Sequence, residues 1–142
     1  MILDNQLVFS DAQALTTTAV STNVIDLGAD GNIGIGEPMG VVITVDVALD
    51  GTTTDETYVV TVQSGSSATP TTVIATRAIT YTEGVLGAQF VIPLPPDLSG
   101  ARYLRLNYTL GGTTPTATLT AVLQPLSMLQ NNVVYAKNYP IQ

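Results

Sequence analysis

The chain contains no cysteine, no histidine and no tryptophan. Without cysteine, it has neither disulfide bonds nor a thiolate metal site. Without histidine, it lacks the side chain that most often acts as a general base or zinc ligand, which argues against hydrolytic and metal-assisted catalysis. The absence of tryptophan weakens a sugar-binding interpretation based on ring stacking. We therefore expect no enzyme activity and no metal or cofactor.

Positive charge is also scarce. The net charge is −7, and the only basic residues are Arg77, Arg102, Arg105 and Lys137. Binding to phosphates requires a basic face, which four separated cations cannot form. An anionic membrane surface demands basic side chains for the same reason. We expect neither nucleic acid nor a membrane as a partner.

The N-terminal region does not resemble a signal peptide, because it has no basic segment and acidic residues interrupt its apolar stretch. The most apolar run, residues 39–49, is too short to span a bilayer. We expect a soluble protein made in a cytoplasm without a cleaved leader.

Charged residues of both signs make up only 11% of the chain, whereas about a quarter is usual. Threonine fills much of this deficit, and its β-branched side chain suits strands. Such a surface either lies against other proteins or forms a threonine-rich solvated sheet, and composition leaves both interpretations open.

The clearest pattern lies in residues 101–125. Leu104, Leu106, Tyr108 and Leu110 alternate with polar side chains in the first half, and Ala117, Leu119, Ala121 and Leu123 do so in the second. A period of two indicates strands with one buried face. Because Gly111, Gly112 and Pro115 separate the two halves, we predict a hairpin whose apolar face is covered by a second sheet.

Further strands are predicted at residues 6–10, 23–27, 40–50, 57–63, 73–81 and 89–94. Residues 11–14 are interpreted as a loop or one helical turn, and the glycine-rich residues 28–40 as a long loop. No helical period occurs between the strands. The pattern predicts an all-β, antiparallel two-sheet jelly-roll sandwich of about eight strands with extended N- and C-terminal segments. We expect a single domain, residues 1–142, with a sandwich body at 5–125 and a C-terminal extension at 126–142.

Both ends of the chain are apolar, and the C-terminal extension has no regular period. Such a segment is not expected to remain free in water. It is predicted either to dock on its own sandwich or to reach a neighbouring subunit.

Two loops contain clustered oxygen ligands: Asp26, Asp30, Asn32 and Glu37 in the first, and Asp50, Asp55 and Glu56 in the second. In an EF-hand, ligands recur at alternate positions of a twelve-residue loop, and the first cluster does not fit this spacing. Side-chain hydrogen bonds within turns are the favoured interpretation of both loops.

Four stretches resemble a known family. LVFSDAQALT, STNVIDLG, IGIGEP and RYLRLNYT are similar to segments of the capsid cement (decoration) proteins of Bordetella-phage type tailed bacteriophages. The similarity extends over residues 7–109, and the terminal NYP of residues 138–140 also fits. It implies a virion protein on the outer surface of an icosahedral head, where it bridges major capsid subunits of the HK97-like fold. It implies neither catalysis nor a cofactor.

Exposure and residue type, considered with this resemblance, predict the contacts with capsid or neighbouring subunits. The expected interface residues are Phe9, Asp11 and Gln13 near the N-terminus, Tyr103 and Arg105 on the outer face, and Tyr135 and Tyr139 in the C-terminal extension. We expect a homo-oligomer, with a homodimer favoured over a trimer.

Two alternatives belong to other functional classes. A carbohydrate- or ligand-binding jelly roll on a virion or cell surface would use Tyr58, Tyr81 and Tyr103 as platforms. A cupin-type enzyme would need metal-binding histidines, which the chain lacks.

Overall fold

The computed structural model describes residues 4–28, 36–96 and 101–128. A short 3-10 helix, Asn5–Leu7, begins where the Asp4 carboxylate accepts a hydrogen bond from the Gln6 N–H at 2.9 Å. The nine strands are β1 Val8–Leu15, β2 Ala19–Val20, β3 Ile25–Asp26, β4 Met39–Val47, β5 Thr57–Gly65, β6 Thr72–Ile79, β7 Gln89–Pro93, β8 Tyr103–Gly111 and β9 Ala117–Pro125.

The strands form two antiparallel sheets. Sheet A has the order β1-β9-β4-β7, and sheet B has the order β2-β8-β5-β6, with β3 also paired to β8. Because β2 and β3 pair with successive parts of β8, they act as two pieces of one edge strand. Counted in this way, the protein has eight strands in two four-stranded sheets. Every connection except β5–β6 and the link between β2 and β3 passes from one sheet to the other, which is the jelly-roll plan. The predicted fold class is confirmed.

The core lies between the sheets and follows the period-two pattern. Leu104, Leu106 and Tyr108 of β8 are buried, and so are Leu119 and Leu123 of β9. They pack in one cluster with the inward side chains of β4 and β5. Alternation in the sequence therefore assigned the buried face correctly in both halves of residues 101–125.

The predicted hairpin is nevertheless wrong. β8 pairs with β5, for example Leu106 with Val62, while β9 pairs with β4, for example Leu123 with Val41. The residues between β8 and β9 therefore cross from sheet B to sheet A at one end of the sandwich. Two strands that face a common core from opposite sheets show the same alternation as two strands of a hairpin, so the pattern does not reveal the partner.

Residues 11–14 were predicted as a loop or helical turn, but they lie within β1. The register of β1 on β9 shifts twice, between Val8 and Ser10 and between Ser10 and Gln13. Ala12 has a φ of 43°, and its N–H donates to Thr120 Oγ1 at 2.9 Å. These bulges interrupt the alternation, which is why the sequence pattern stops short of the strand's end.

The remaining predicted strands are present, with ends shifted by up to about three residues, as expected of boundaries read from sequence. β3 is shorter than predicted, and β2 was not predicted. Within the described residues, no helix has the length and hydropathy needed to cross a bilayer.

Candidate functional site

Charge is unevenly distributed between the sheets. The long strands of sheet B (β5, β6 and β8) contain no carboxylate, and their only charged residues are Arg77 and Arg105. The acidic residues that give the chain its net charge of −7 lie elsewhere. In an acidic protein, sheet B thus has an outer surface that is almost neutral.

We call this surface the neutral face. It is defined by the side chains that point away from the core on β2, β5, β6 and β8: Val20, Val59, Thr61, Gln63, Val73, Thr76, Ala78, Tyr103, Arg105, Asn107 and Thr109. Arg105 is the only charged side chain among them, so a partner that covers the face removes a single ion from water.

Arg105 lies in the middle of the neutral face. Gln63 of β5 pairs with Arg105 on one side and with Val73 of β6 on the other, so the three form one row across the sheet. Arg105 Nε donates to Gln63 Oε1 at 2.9 Å. This bond holds the guanidinium in place and leaves its remaining donors for a partner. Val73 ends the row with 56% of its surface exposed.

Tyr103 marks one margin of the face, two residues before Arg105. The Arg102 guanidinium lies 5.1 Å from the centre of the Tyr103 ring. It also donates to both carboxylate oxygens of Asp26, with N···O distances of 2.7 and 2.8 Å. The bond from Arg102 is the main reason why the pKa of Asp26 is lowered to about 2. Asp26 of β3, which pairs with Tyr103 at this margin, is thus compensated by an arginine.

The structure brings Tyr103 and Arg105 together, as predicted, but it rejects Phe9 as an exposed residue. Phe9 has 0% of its surface exposed and belongs to the central core. The register shift between Val8 and Ser10 places this ring between the sheets. A side chain without accessible surface makes no contact outside the subunit, so the prediction that Phe9 is an exposed interface residue is wrong.

Gln13 makes its hydrogen bonds inside the subunit. Its Oε1 accepts from Ser10 Oγ at 2.7 Å and from the Thr22 N–H at 3.0 Å, and its Nε2 donates to the Val20 carbonyl at 2.9 Å. Gln13 therefore links β1, at the edge of sheet A, to the β2 region of sheet B. Its neighbour Asp11 is exposed on the β1 bulge, as an interface residue must be.

Several predicted residues lie outside the part of the chain that the structure describes. Tyr135 and Tyr139, expected as interface residues, and the C-terminal extension beyond Met128 lie outside the described residues. Asp30 and Asn32 of the first acidic loop also lie outside the described residues. Asp26 of that loop forms an ion pair with Arg102.

The second acidic loop is organised by threonine. Asp50 accepts from the Thr52 N–H at 3.0 Å, and Glu56 accepts from the Thr53 N–H at 3.0 Å. Hydrogen bonds from the threonine side chains are the largest cause of the lowered pKa values of both carboxyl groups. Among the residues that the structure describes, no three acidic side chains come together as metal ligands.

Two shallow grooves flank the 3-10 helix, with volumes of about 530 and 240 Å³. They share Asn5 and Val8, and neither is lined by an aromatic ring. Tyr58, one of the three tyrosines suggested for sugar stacking, is buried, with its hydroxyl donating to the Asp50 and Thr116 carbonyl oxygens. It therefore cannot serve as a stacking platform on the surface.

Sequence reasoning missed an exposed apolar tip formed by Val47, Val85 and Leu86, which are 57%, 56% and 71% exposed. Backbone bonds from the Val45 N–H to Ala88 O and from the Leu49 N–H to Gly84 O tie this loop to the end of β4. The two apolar residues between Gly84 and Gly87 were the available signal, because a tight glycine-flanked turn leaves little room for burial.

A comparison with protein-family models gives a match to Bbp16, a Bordetella phage protein family, over residues 9–123. The chain belongs to the Bbp16 family. The matched region begins in β1 and ends in β9, so Bbp16 membership covers the whole jelly roll rather than one motif. The phage origin expected from the resemblance is thereby confirmed. No curated protein matches the chain.

Proposed function

We propose that this Bbp16-family protein is a cement protein on the outer surface of a phage head, where it joins neighbouring major capsid subunits of the HK97-like fold. The neutral face is the observation that carries this proposal. A protein with a net charge of −7 would ordinarily distribute carboxylates over all of its solvated surface. A sheet face whose long strands carry none suits permanent coverage by another protein.

The neutral face provides the two components that stable interfaces combine. Val20 and Val73 supply apolar contact area at its two edges, and Arg105 supplies a positioned anchor between them. Arginine in the centre of an interface contributes strongly to binding because its planar group forms several directed bonds. Asp11, exposed on the β1 bulge, is proposed to add a contact at the margin.

The mechanism of reinforcement is mechanical and needs no catalysis. Each copy contributes a rigid two-sheet platform, and an oligomer, with a dimer preferred, touches the shell at more than one place. Once one contact has formed, the others are intramolecular, so the total affinity exceeds that of any single contact. Subunits held in this way separate less readily under the pressure of packaged DNA.

The test is co-sedimentation of purified protein with phage heads that lack it. Saturable binding at a fixed ratio to the shell subunits, with increased resistance of the heads to heat, is expected. Absence of saturable binding would contradict the proposal, and a glycan screen with and without calcium would then test the carbohydrate-binding alternative.

Paired valine substitutions locate the surface. Val20→Glu places a charge on the neutral face, where the native valine is 42% exposed, and Val47→Glu places the same charge on the more exposed apolar tip. We expect Val20→Glu to weaken head binding at least tenfold and Val47→Glu to leave it within about twofold. The reverse ranking would show that the apolar tip, not the neutral face, contacts the shell.

A further inference from the structure

The four sheet edges differ in how well they resist pairing with another chain. β1 is bulged twice and contains Ala12 at positive φ. β2 and β3 have two residues each, and β7 has five and ends at Pro93. Bulges, short strands and proline are the usual devices that keep an edge from extending into a neighbour.

β6 is the one edge that is neither short, nor bulged more than once, nor interrupted by proline. It is eight residues long, Thr72–Ile79, and contains neither proline nor a carboxylate. Within the described residues it pairs with β5 alone. One register shift lies between Val73 and Ala75, and the strand is regular from Ala75 to Ile79.

The one charged residue of β6 points inward, which is itself a device that protects an edge, but it leaves the outer side of the strand uncharged. Arg77 pairs with Val60, which points into the core, so its side chain lies on the inner side of the sheet. Its guanidinium stands 5.0 Å from the centre of the Phe90 ring of β7. Arg77 Nε is buried without a hydrogen-bond partner among the described residues. On the outer side, the exposed residues of β6 are Val73, Thr76 and Ala78, none of which repels an approaching strand.

We propose that β6 is the self-association surface of this protein and that a second copy pairs with it, antiparallel, through the same strand. An antiparallel pair of identical edges is related by a two-fold axis, so one surface serves as its own complement. Because β6 has no carboxylate, two acidic subunits meet here without opposed negative charges. The two B sheets then form one continuous sheet, and their neutral faces adjoin.

The absence of cysteine makes a direct test possible, since each introduced thiol is the only one in the chain. Single substitutions Val73→Cys, Thr76→Cys and Ala78→Cys place thiols along the outer side of β6. Directly opposed Cβ atoms on paired strands are about 4.5–5.5 Å apart, close to the separation that a disulfide needs. Thr109→Cys on β8 and Val20→Cys on β2 are controls on the same face.

After mild oxidation without phage heads, we expect at least one β6 variant to become mainly a covalent dimer, while both controls remain monomeric on a non-reducing gel. Cross-linking at Val20→Cys or Thr109→Cys, but at none of the β6 positions, would overturn the proposal. The assay contains no capsid protein, so its result does not depend on the proposed cement function.

A charge variant provides a second measurement. By sedimentation equilibrium, wild-type protein should have twice the chain mass of 14.8 kDa. The double variant Thr76→Lys/Ala78→Lys should be monomeric and still unfold cooperatively, with a lower melting temperature than the wild type because association no longer stabilises the native state, and Thr109→Lys should remain dimeric. A monomeric wild-type protein, or a double variant that is still dimeric, would refute pairing through β6. If the double variant does not fold, the cysteine variants decide.

Discussion

At the scale of single residues, a hydrogen-bond chain that is buried at its Tyr108 end joins the two sheets. The Tyr108 hydroxyl of β8 lies 2.7 Å from Ser10 Oγ of β1. Ser10 Oγ donates to Gln13 Oε1, and Gln13 Nε2 donates to the Val20 carbonyl. Three side chains thus connect sheet B to sheet A and back again. Buried networks of this kind stabilise a fold when every member has a partner.

Tyr108→Phe should lower the free energy of unfolding at neutral pH by about 1–2 kcal/mol, because Ser10 loses one buried partner. The substitution should also change how the free energy of unfolding depends on pH above pH 10. Burial raises the pKa of Tyr108 above its ordinary value of 10.0. Above pH 10 the unfolded chain therefore loses a proton that the folded chain keeps, and stability falls as pH rises.

Urea unfolding between about pH 8 and pH 11 measures both effects, and the variant should show the shallower decline above pH 10. Some decline should remain, because burial also raises the pKa of Tyr58. Equal slopes for wild type and variant would contradict the raised pKa of Tyr108.

Gln13→Ala tests whether this side chain has an internal role. The substitution removes the bonds to Ser10, Thr22 and Val20, so we expect a loss of about 1–3 kcal/mol in unfolding free energy. Asp11→Ala, on the exposed part of the same strand, should stay within about 0.5 kcal/mol of wild type. Thermal or urea unfolding measures both, and equal small effects would argue against an internal role of Gln13.

At the scale of elements, the connection between β8 and β9 carries the chain from one sheet to the other. Gly112 has a φ of 94°, and a Cβ there would lie 2.5 Å from the Asp55 carbonyl oxygen. The same connection is held by Thr113, whose N–H donates to Asp55 Oδ1 at 3.1 Å. The crossover between sheets thus packs closely against the β4–β5 loop.

Gly112→Ala should destabilise the protein by more than Gly87→Ala. Gly87 has a similar φ of 80° but no atom within 4 Å of an added Cβ. Its substitution therefore costs only the free energy of holding alanine in the left-handed conformation, about 1–2 kcal/mol. Gly112→Ala adds a steric clash with backbone, and we expect a total of about 3 kcal/mol or more. Urea unfolding of the two variants separates these contributions, and equal losses would show that the loop yields to the clash.

At the scale of the whole molecule, charge is distributed unevenly between the sheets, and this bears on the proposed contact with the shell. The proposed contact surface contains one central cation, Arg105, and is otherwise uncharged. An interface of this kind depends mainly on apolar contact and directed hydrogen bonds, which salt screens little.

Head binding should therefore change by less than about threefold between 0.05 and 0.5 M NaCl. Co-sedimentation at the two salt concentrations, with Arg105→Ala alongside wild type, measures this. The variant should bind at least tenfold more weakly at both concentrations. A large loss of wild-type binding at high salt would indicate that the acidic loops, rather than the neutral face, contact the shell.

The sequence by itself determined which side of β4, β5, β8 and β9 faces the space between the sheets. Alternating side chains on β4, β5, β8 and β9 must place their apolar members in the core whatever strand lies beside them, because a pleated backbone points successive residues to opposite faces. Composition likewise fixed the scarcity of cations. Tyr103 and Arg105 were correctly assigned to the outer face for the same reason.

Only the tertiary structure decided which strands pair. β8 and β9 are neighbours in sequence but lie in different sheets, since pairing depends on contacts between distant residues that a period of two does not encode. The bulges of β1 buried Phe9 and turned Gln13 inward, against the local pattern. The neutral face and the open edge of β6 also exist only in the folded chain, because their residues come from strands far apart in the sequence.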